Sequence, residues 1–206
     1  MNRTEWSLLL AVAIPACAVP GTGVTSLPAA AQTVGIQQPM VPPGHGTLKF
    51  DEITISMRIG ALLVKVTPLD EAVIRLLAPD TWERYHALAE RRREEAAAAT
   101  AGRPPELFLV SFYSYEPDVD YQPEDLQLSH QGRMLRAVRI MPITGSFGRQ
   151  RLAQQENQSA IYVFDEPINY GLRLVVRYGL EDNDSWSSII QKLEVERSKV
   201  RAKSGG

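Results

Sequence analysis

The sequence predicts a mainly β protein, an antiparallel β-sandwich with a helical insertion after its second strand. Three observations carry this. Between residues 47 and 197, seven or eight short stretches alternate apolar and polar residues, with turn residues between them. Only one region, 70–101, switches to helical spacing. A parallel α/β sheet needs a helix for each crossover, so a single helical region disfavours it.

Along the chain, residues 1–31 read as a signal peptide. Arg3 supplies a weak positive charge, partly offset by Glu5, and the apolar run "WSLLLAVAI" ends at Pro15. Nine helical residues span about 14 Å, well short of the roughly 30 Å hydrocarbon core of a bilayer, which excludes a permanent anchor there. The favoured cut follows Ala31 in "PAAAQ". One alternative is lipidation at Cys17, the only cysteine, where Ile14-Pro15-Ala16 stands in a lipobox-like position; the other is a cut after Ala18. Each outcome places the protein outside the cytoplasm, periplasmic or secreted, with an outer-membrane lipoprotein as the acylated form. The cut after Ala31 leaves no cysteine, which excludes a disulfide scaffold.

Residues 32–46, rich in Gln, Pro and Gly, read as a flexible tether. "LKF" and "ITISMRI" alternate in opposite phase, which implies a turn or bulge at Asp51-Glu52. Gly60 marks a turn into "ALLVKVTPL", with Leu62, Val64 and Val66 on one face. Asp70 is placed to cap a short helix carrying Val73, Ile74 and Leu77, which Pro79 ends. Asp80 would cap a longer one, with Trp82, Tyr85 and Ala89 on its apolar face. Beyond Glu90 only Ala, Arg and Glu remain, so that end is expected to project or fray as a solvated face.

Strand period returns in "ELFLVSFYSY", and "EPDVDYQPED" reads as a loop. "LQLSHQG" and "RMLRAVRIMPI" follow as strands across a turn at 130–132. "TGSFGRQRLAQQENQ" is irregular, and "SAIYVFDEP" and "LRLVVRYG" are strands. In "SWSSIIQKLEVE", Trp186, Ile189, Ile190 and Leu193 fit a helix, whereas Ile189, Leu193 and Val195 fit a strand. A closing strand is the favoured reading, with residues 198–206 a disordered tail. The domain therefore spans 47–197, with its helical insert at 70–101.

Between "LFLVSFYSY" and "LRLVVRYG" the order of "YQPEDLQL", a Gly turn and "AIYVFD" before a final hairpin resembles immunoglobulin-like domains of small secreted bacterial proteins. The resemblance lies at the level of fold and implies a binding or envelope-associated module.

The balance of 22 basic and 24 acidic residues, net −2, provides no global field for nucleic acid or anionic lipid. Membrane contact is expected only through an N-terminal lipid. Three histidines, His45, His86 and His130, form no ligand spacing for a transition metal. Ser129 beside His130 is a sequence neighbour in a turn, and no nucleophile signature of the Gly-x-Ser-x-Gly or Ser-x-x-Lys kind exists. "TGSFG" matches neither glycine-rich phosphate motif and reads as a loop with Phe147 tucked under it.

The leading reading is thus a non-catalytic, extracytoplasmic binding or envelope-associated module, without a cofactor, that meets an envelope or extracellular protein or ligand. Its candidate surface is the aromatic-acidic junction of Tyr113, Tyr115, Glu116, Asp118, Asp120 and Tyr121, which extends to Asp125. Two alternatives use the acids differently. A hydrolase would pair carboxylates such as Asp118 and Glu181. A calcium-stabilised structural domain would draw on Asp118, Asp120, Asp182 and Asp184.

Overall fold

A computed structural model of the chain describes residues 40–204. The expected signal peptide, Cys17 and residues 32–39 of the expected tether lie outside them.

The strands are β1 (Ile55–Ile59), β2 (Leu62–Pro68), β3 (Glu106–Ser114), β4 (Val119–Asp120), β5 (Leu126–His130), β6 (Arg133–Arg136), β7 (Arg139–Pro142), β8 (Arg151–Leu152), β9 (Asn157–Phe164), β10 (Leu174–Tyr178) and β11 (Glu181–Asn183). Between β2 and β3 stand α1 (Glu71–Ile74) and α2 (Pro79–Ala99), and α3 (Trp186–Ser204) follows β11. A five-stranded sheet has the order β1-β2-β3-β9-β7, a four-stranded sheet β11-β10-β5-β6, and β4 pairs with β8. All these pairings are antiparallel. The two larger sheets share one core, the arrangement of a β-sandwich.

Alternation decides which side chains reach that core. Leu62, Val64 and Val66 of β2 and Phe108, Val110 and Phe112 of β3 point inward from one sheet. Leu126 and Leu128 of β5 and Leu174 and Val176 of β10 do so from the other. The phase change near Asp51 is a 3-10 helix, Phe50–Ile53, closed by Glu52 accepting from the Lys49 N–H at 2.9 Å. The stretch "RMLRAVRIMPI" divides into β6 and β7, one in each sheet, with the chain crossing at Ala137-Val138.

Four expectations are corrected. The segment 186–196 is helical: Trp186, Ile189, Leu193 and Val200 are buried at helical spacing, while Val195 stays 57% exposed. A strand would have put Val195 on the face of Leu193. The helix continues through the expected tail to Ser204. The far end of α2 neither projects nor frays. Its alanines let it lie close, with Ala96 fully buried, and it is tied to β7 by Arg139–Glu95 at 2.9 Å and Arg92 to the Pro142 carbonyl at 3.4 Å. Asp80 lies in the first turn of α2, where Pro79 opens the helix and Ala78 stands at the cap.

The fourth correction concerns the part of the tether within the described residues. Gly46 N–H donates to the Arg75 carbonyl at 3.0 Å and Leu48 N–H to that of Leu76 at 3.1 Å. Thr47 donates from both its backbone N–H and its hydroxyl to Glu196 Oε1, at 2.7 and 2.8 Å. Burial opposes ionisation of Glu196, but these donors and Lys199 outweigh it and hold its carboxyl below the ordinary range. The chain is therefore fastened between α1 and α3 before β1 begins.

Candidate functional site

Strand alternation separates the residues that the sequence groups at Tyr113–Asp125. In β3 the even positions face the core and the odd positions face outward, so Tyr113 lies on the outer face of the five-stranded sheet. Tyr115 follows just past the strand, 40% exposed, with its ring 5.0 Å from that of Tyr113 in an edge-to-face arrangement. Tyr121 goes the other way. It is 2% exposed, stacks on Phe112 at 4.5 Å and donates its hydroxyl to Gln158 Oε1 at 2.5 Å. It is a core residue and presents no surface.

Tyr113 and Tyr115 line a cavity of about 550 Å³. Its floor is two cross-strand rungs of the outer sheet face, Leu63–Tyr113–Asn157 and Lys65–Ser111–Ser159. Ser111 and Ser159 hydroxyls hydrogen-bond each other at 2.8 Å, and Asn157 donates to Ser159 Oγ at 3.3 Å. One wall is the stacked pair Phe50 and Tyr85, centroids 4.1 Å apart. Lys65 pairs with Asp51 at 3.3 Å across the opening. Arg84 and Tyr85 bring α2 to the side of the cavity.

The acidic residues fall elsewhere. Asp118 and Asp120 line a separate open concavity of about 700 Å³ with Gln122, Arg149, Arg151 and Glu156. Arg151 hydrogen-bonds Asp120 at 2.9 Å and holds its carboxyl below the ordinary range. Asp182 is gripped by Arg177 at 2.5 and 2.6 Å, and Asp184 meets Arg173 at 3.4 Å. Three of the four acids considered for calcium therefore face guanidinium groups. Among the described residues no group of three His, Cys, Asp or Glu side chains is arranged to hold a metal ion. Glu116 is exposed, and Glu181 sits on the edge strand β11 opposite Tyr178.

The sequence reading missed a second cluster in the interior. Asp70 caps α1 by accepting from Ala72 N–H at 2.8 Å. Its charge also reaches Glu106, at the start of β3. Glu106 accepts from Tyr170 Oη at 2.7 Å and from Ile168 N–H at 3.3 Å. Burial pushes Glu106 up to about 7; the Tyr170 hydroxyl opposes this and Asp70 reinforces it. Burial likewise raises Asp70. A carboxyl kept protonated near neutrality suits a general acid, but Glu106 lines neither cavity described above. No local signal joins Asp70 to Glu106; the pairing of β2 with β3 does.

His130 is likewise structural. Its Nε2 accepts from the Asn169 N–H at 3.1 Å, so the ring proton sits on Nδ1 and is donated to the Arg173 carbonyl at 3.1 Å. Ser129 points to the opposite face of β5. Phe147 tucks beside Phe112 and Tyr121, and Thr144 Oγ1 accepts from Ser159 N–H at 3.0 Å, so "TGSFG" is used in packing. Among the described residues no helix is long and apolar enough to cross a membrane.

No protein-family model matches the chain, and no curated protein or solved structure matches it either.

Proposed function

We propose that this protein is an exported, non-catalytic binding module whose ligand lies in the groove on the outer face of the five-stranded sheet. The observation that supports this is the placing of Tyr113 and Tyr115 beside Leu63, Asn157 and the Ser111–Ser159 pair, in a concave site beside α2. Rings supply contact area at little entropic cost, and the hydroxyls and carboxamide orient whatever binds. A non-catalytic role fits the engagement of Asp120, Asp182 and Asp184 by arginines and the use of Glu106 and His130 in internal hydrogen bonds. Export rests on the reading of residues 1–31. The immunoglobulin-like character of the sandwich belongs to the same proposal, supported by the antiparallel strands that residues 106–178 contribute to both sheets.

Two measurements test this. Intact mass of the protein purified from its native host should show Gln32, Val19 or acylated Cys17 at the N-terminus; an intact Met1 overturns export. Arrays of glycans and peptides probed with the protein should return ligands that the Tyr113→Ala/Tyr115→Ala variant no longer holds. Ligands held equally by that variant place the site elsewhere.

A further inference from the structure

The cations around the groove reveal what kind of ligand it suits, given the binding role proposed above. Past Tyr85 the groove runs on into a second cavity of about 280 Å³, lined by Arg84, Leu88, Arg91, Leu109, Ile143 and Ser159. The two cavities share Arg84, Tyr85, Leu109 and Ser159, so they form one channel between α2 and the sheet. Arg84 and Arg91 are seven residues apart, two helical turns, and so stand on one face of α2 about 10 Å from each other.

Among the described residues neither arginine has a carboxylate partner. The guanidinium of Arg84 lies over the Tyr85 ring at 4.9 Å and donates to its hydroxyl at 3.0 Å. Arg91 donates only to the Ala87 carbonyl, one turn back. At the opposite end Arg58 lies over Tyr115 at 4.6 Å, also without an acid. The neighbouring arginines of α2 behave otherwise: Arg92 pairs with Glu95 and Arg93 with Glu90. Lys65 and Asp51 cancel each other at the rim. A protein of net charge −2 thus keeps two guanidinium groups without a carboxylate in the channel lining, Arg84 and Arg91, and a third, Arg58, over the Tyr115 ring beside it.

The position of the channel also bears on its occupant. It runs over the face of the sheet, where the backbone groups of β2, β3 and β9 are already paired with one another. A peptide could not add itself as a strand there, because strand addition needs a free edge. The face offers ring surfaces, hydroxyls, one carboxamide and guanidinium groups. The C–H faces of sugar rings pack on Tyr113 and Tyr115, sugar hydroxyls meet Ser111, Ser159 and Asn157, and carboxylates meet Arg58, Arg84 and Arg91 in charge-assisted hydrogen bonds.

We infer that the channel binds an acidic saccharide, an extended chain carrying carboxylates on its rings. The test is calorimetry of the full chain with three probes of matched length: an oligogalacturonate, a neutral malto-oligosaccharide and an oligoglutamate peptide. The uronate should bind, weaken with added salt, and lose at least tenfold in affinity in Arg84→Gln/Arg91→Gln. Arg93→Gln, on the same helix but paired with Glu90, should bind as the parent does. All these side chains are exposed, so the variants are expected to fold, which circular dichroism checks. No uronate binding, equal or tighter binding of the neutral chain, a preference for oligoglutamate, or unchanged affinity in Arg84→Gln/Arg91→Gln each overturns the inference. Binding of a neutral or peptide probe that Tyr113→Ala/Tyr115→Ala abolishes would leave the groove as a binding site and sink only the acidic saccharide; array ligands insensitive to that variant sink both.

Discussion

Tyr170 donates its phenolic hydrogen to Glu106 Oε2 at 2.7 Å, joining the loop before β10 to the first residue of β3. Burial raises the Tyr170 hydroxyl well above its ordinary range, so it remains a donor at any physiological pH. Glu106, pushed up to about 7, is the titrating partner.

This makes stability depend on pH in a defined direction. The folded pKa of Glu106 lies above the unfolded value near 4.5, so between those values the folded state binds more protons. Its contribution to stability is complete below about pH 4.5 and is lost as pH rises to about 7, by roughly 1–3 kcal/mol. Urea midpoints measured from pH 4 to 8 should show this decline in the parent relative to Glu106→Gln, in which the decline disappears. Tyr170→Phe removes a donor to the ionised form and should extend the decline above pH 7. Parallel curves for parent and Glu106→Gln would refute the assignment.

Gly46 backs directly onto the chain just after α1. A Cβ there would lie 2.0 Å from the Leu76 carbonyl oxygen, a contact with backbone that cannot swing aside. Gly46→Ala should therefore cost at least about 2 kcal/mol, visible as a fall in melting temperature. Gly60 turns between β1 and β2 with φ +57° and open space around it, so Gly60→Ala meets only the left-handed backbone cost of about 1–2 kcal/mol. Should Gly46→Ala melt with the parent, the docking of this segment is wrong.

The phase of α3 can be read by a pair of substitutions. Leu193 is 1% exposed and Val195 57% exposed. Leu193→Ala should cost about 2–5 kcal/mol, and Val195→Ala should fall within about 0.5 kcal/mol of the parent. Similar large losses at both positions would restore the strand.

For His130, long-range 15N NMR should find the ring neutral with its proton on Nδ1, given that Nε2 accepts from Asn169 N–H. A ring protonated on Nε2 at neutral pH would contradict the hydrogen-bond arrangement.

Much of the β architecture is readable because alternation is local. Leu62, Val64 and Val66 declare their common face within five residues, and the turn at Gly60 declares the hairpin to β1. The aromatic-acidic segment was only half readable. Tyr113 and Tyr121 look alike in the sequence, but one sits on the outer face of β3 and the other stacks on Phe112 inside. Which of them reaches the surface depends on where the two-stranded pairing of β4 with β8 folds the chain back. The groove itself required α2, whose polar far end was expected in solvent. Alanine carries little apolar signal, yet its small size lets the helix lie close to its neighbours, with Ala89 and Ala96 buried.

By itself the sequence determined the longer strands, such as β2, β3 and β9, the two helices between β2 and β3 and the near-neutral charge, since each follows from residues within a few positions of one another. Only the tertiary structure decided that 186–204 is helix, that residues 46–48 are docked, and that the charge of Asp70 reaches Glu106. Ile189 and Leu193 fit a helix with Trp186 and Ile190 and a strand with Val195, until the groups that share their burial are known. Those groups, such as the Tyr170 carbonyl that accepts from Trp186 Nε1 at 3.2 Å, arrive from distant parts of the chain.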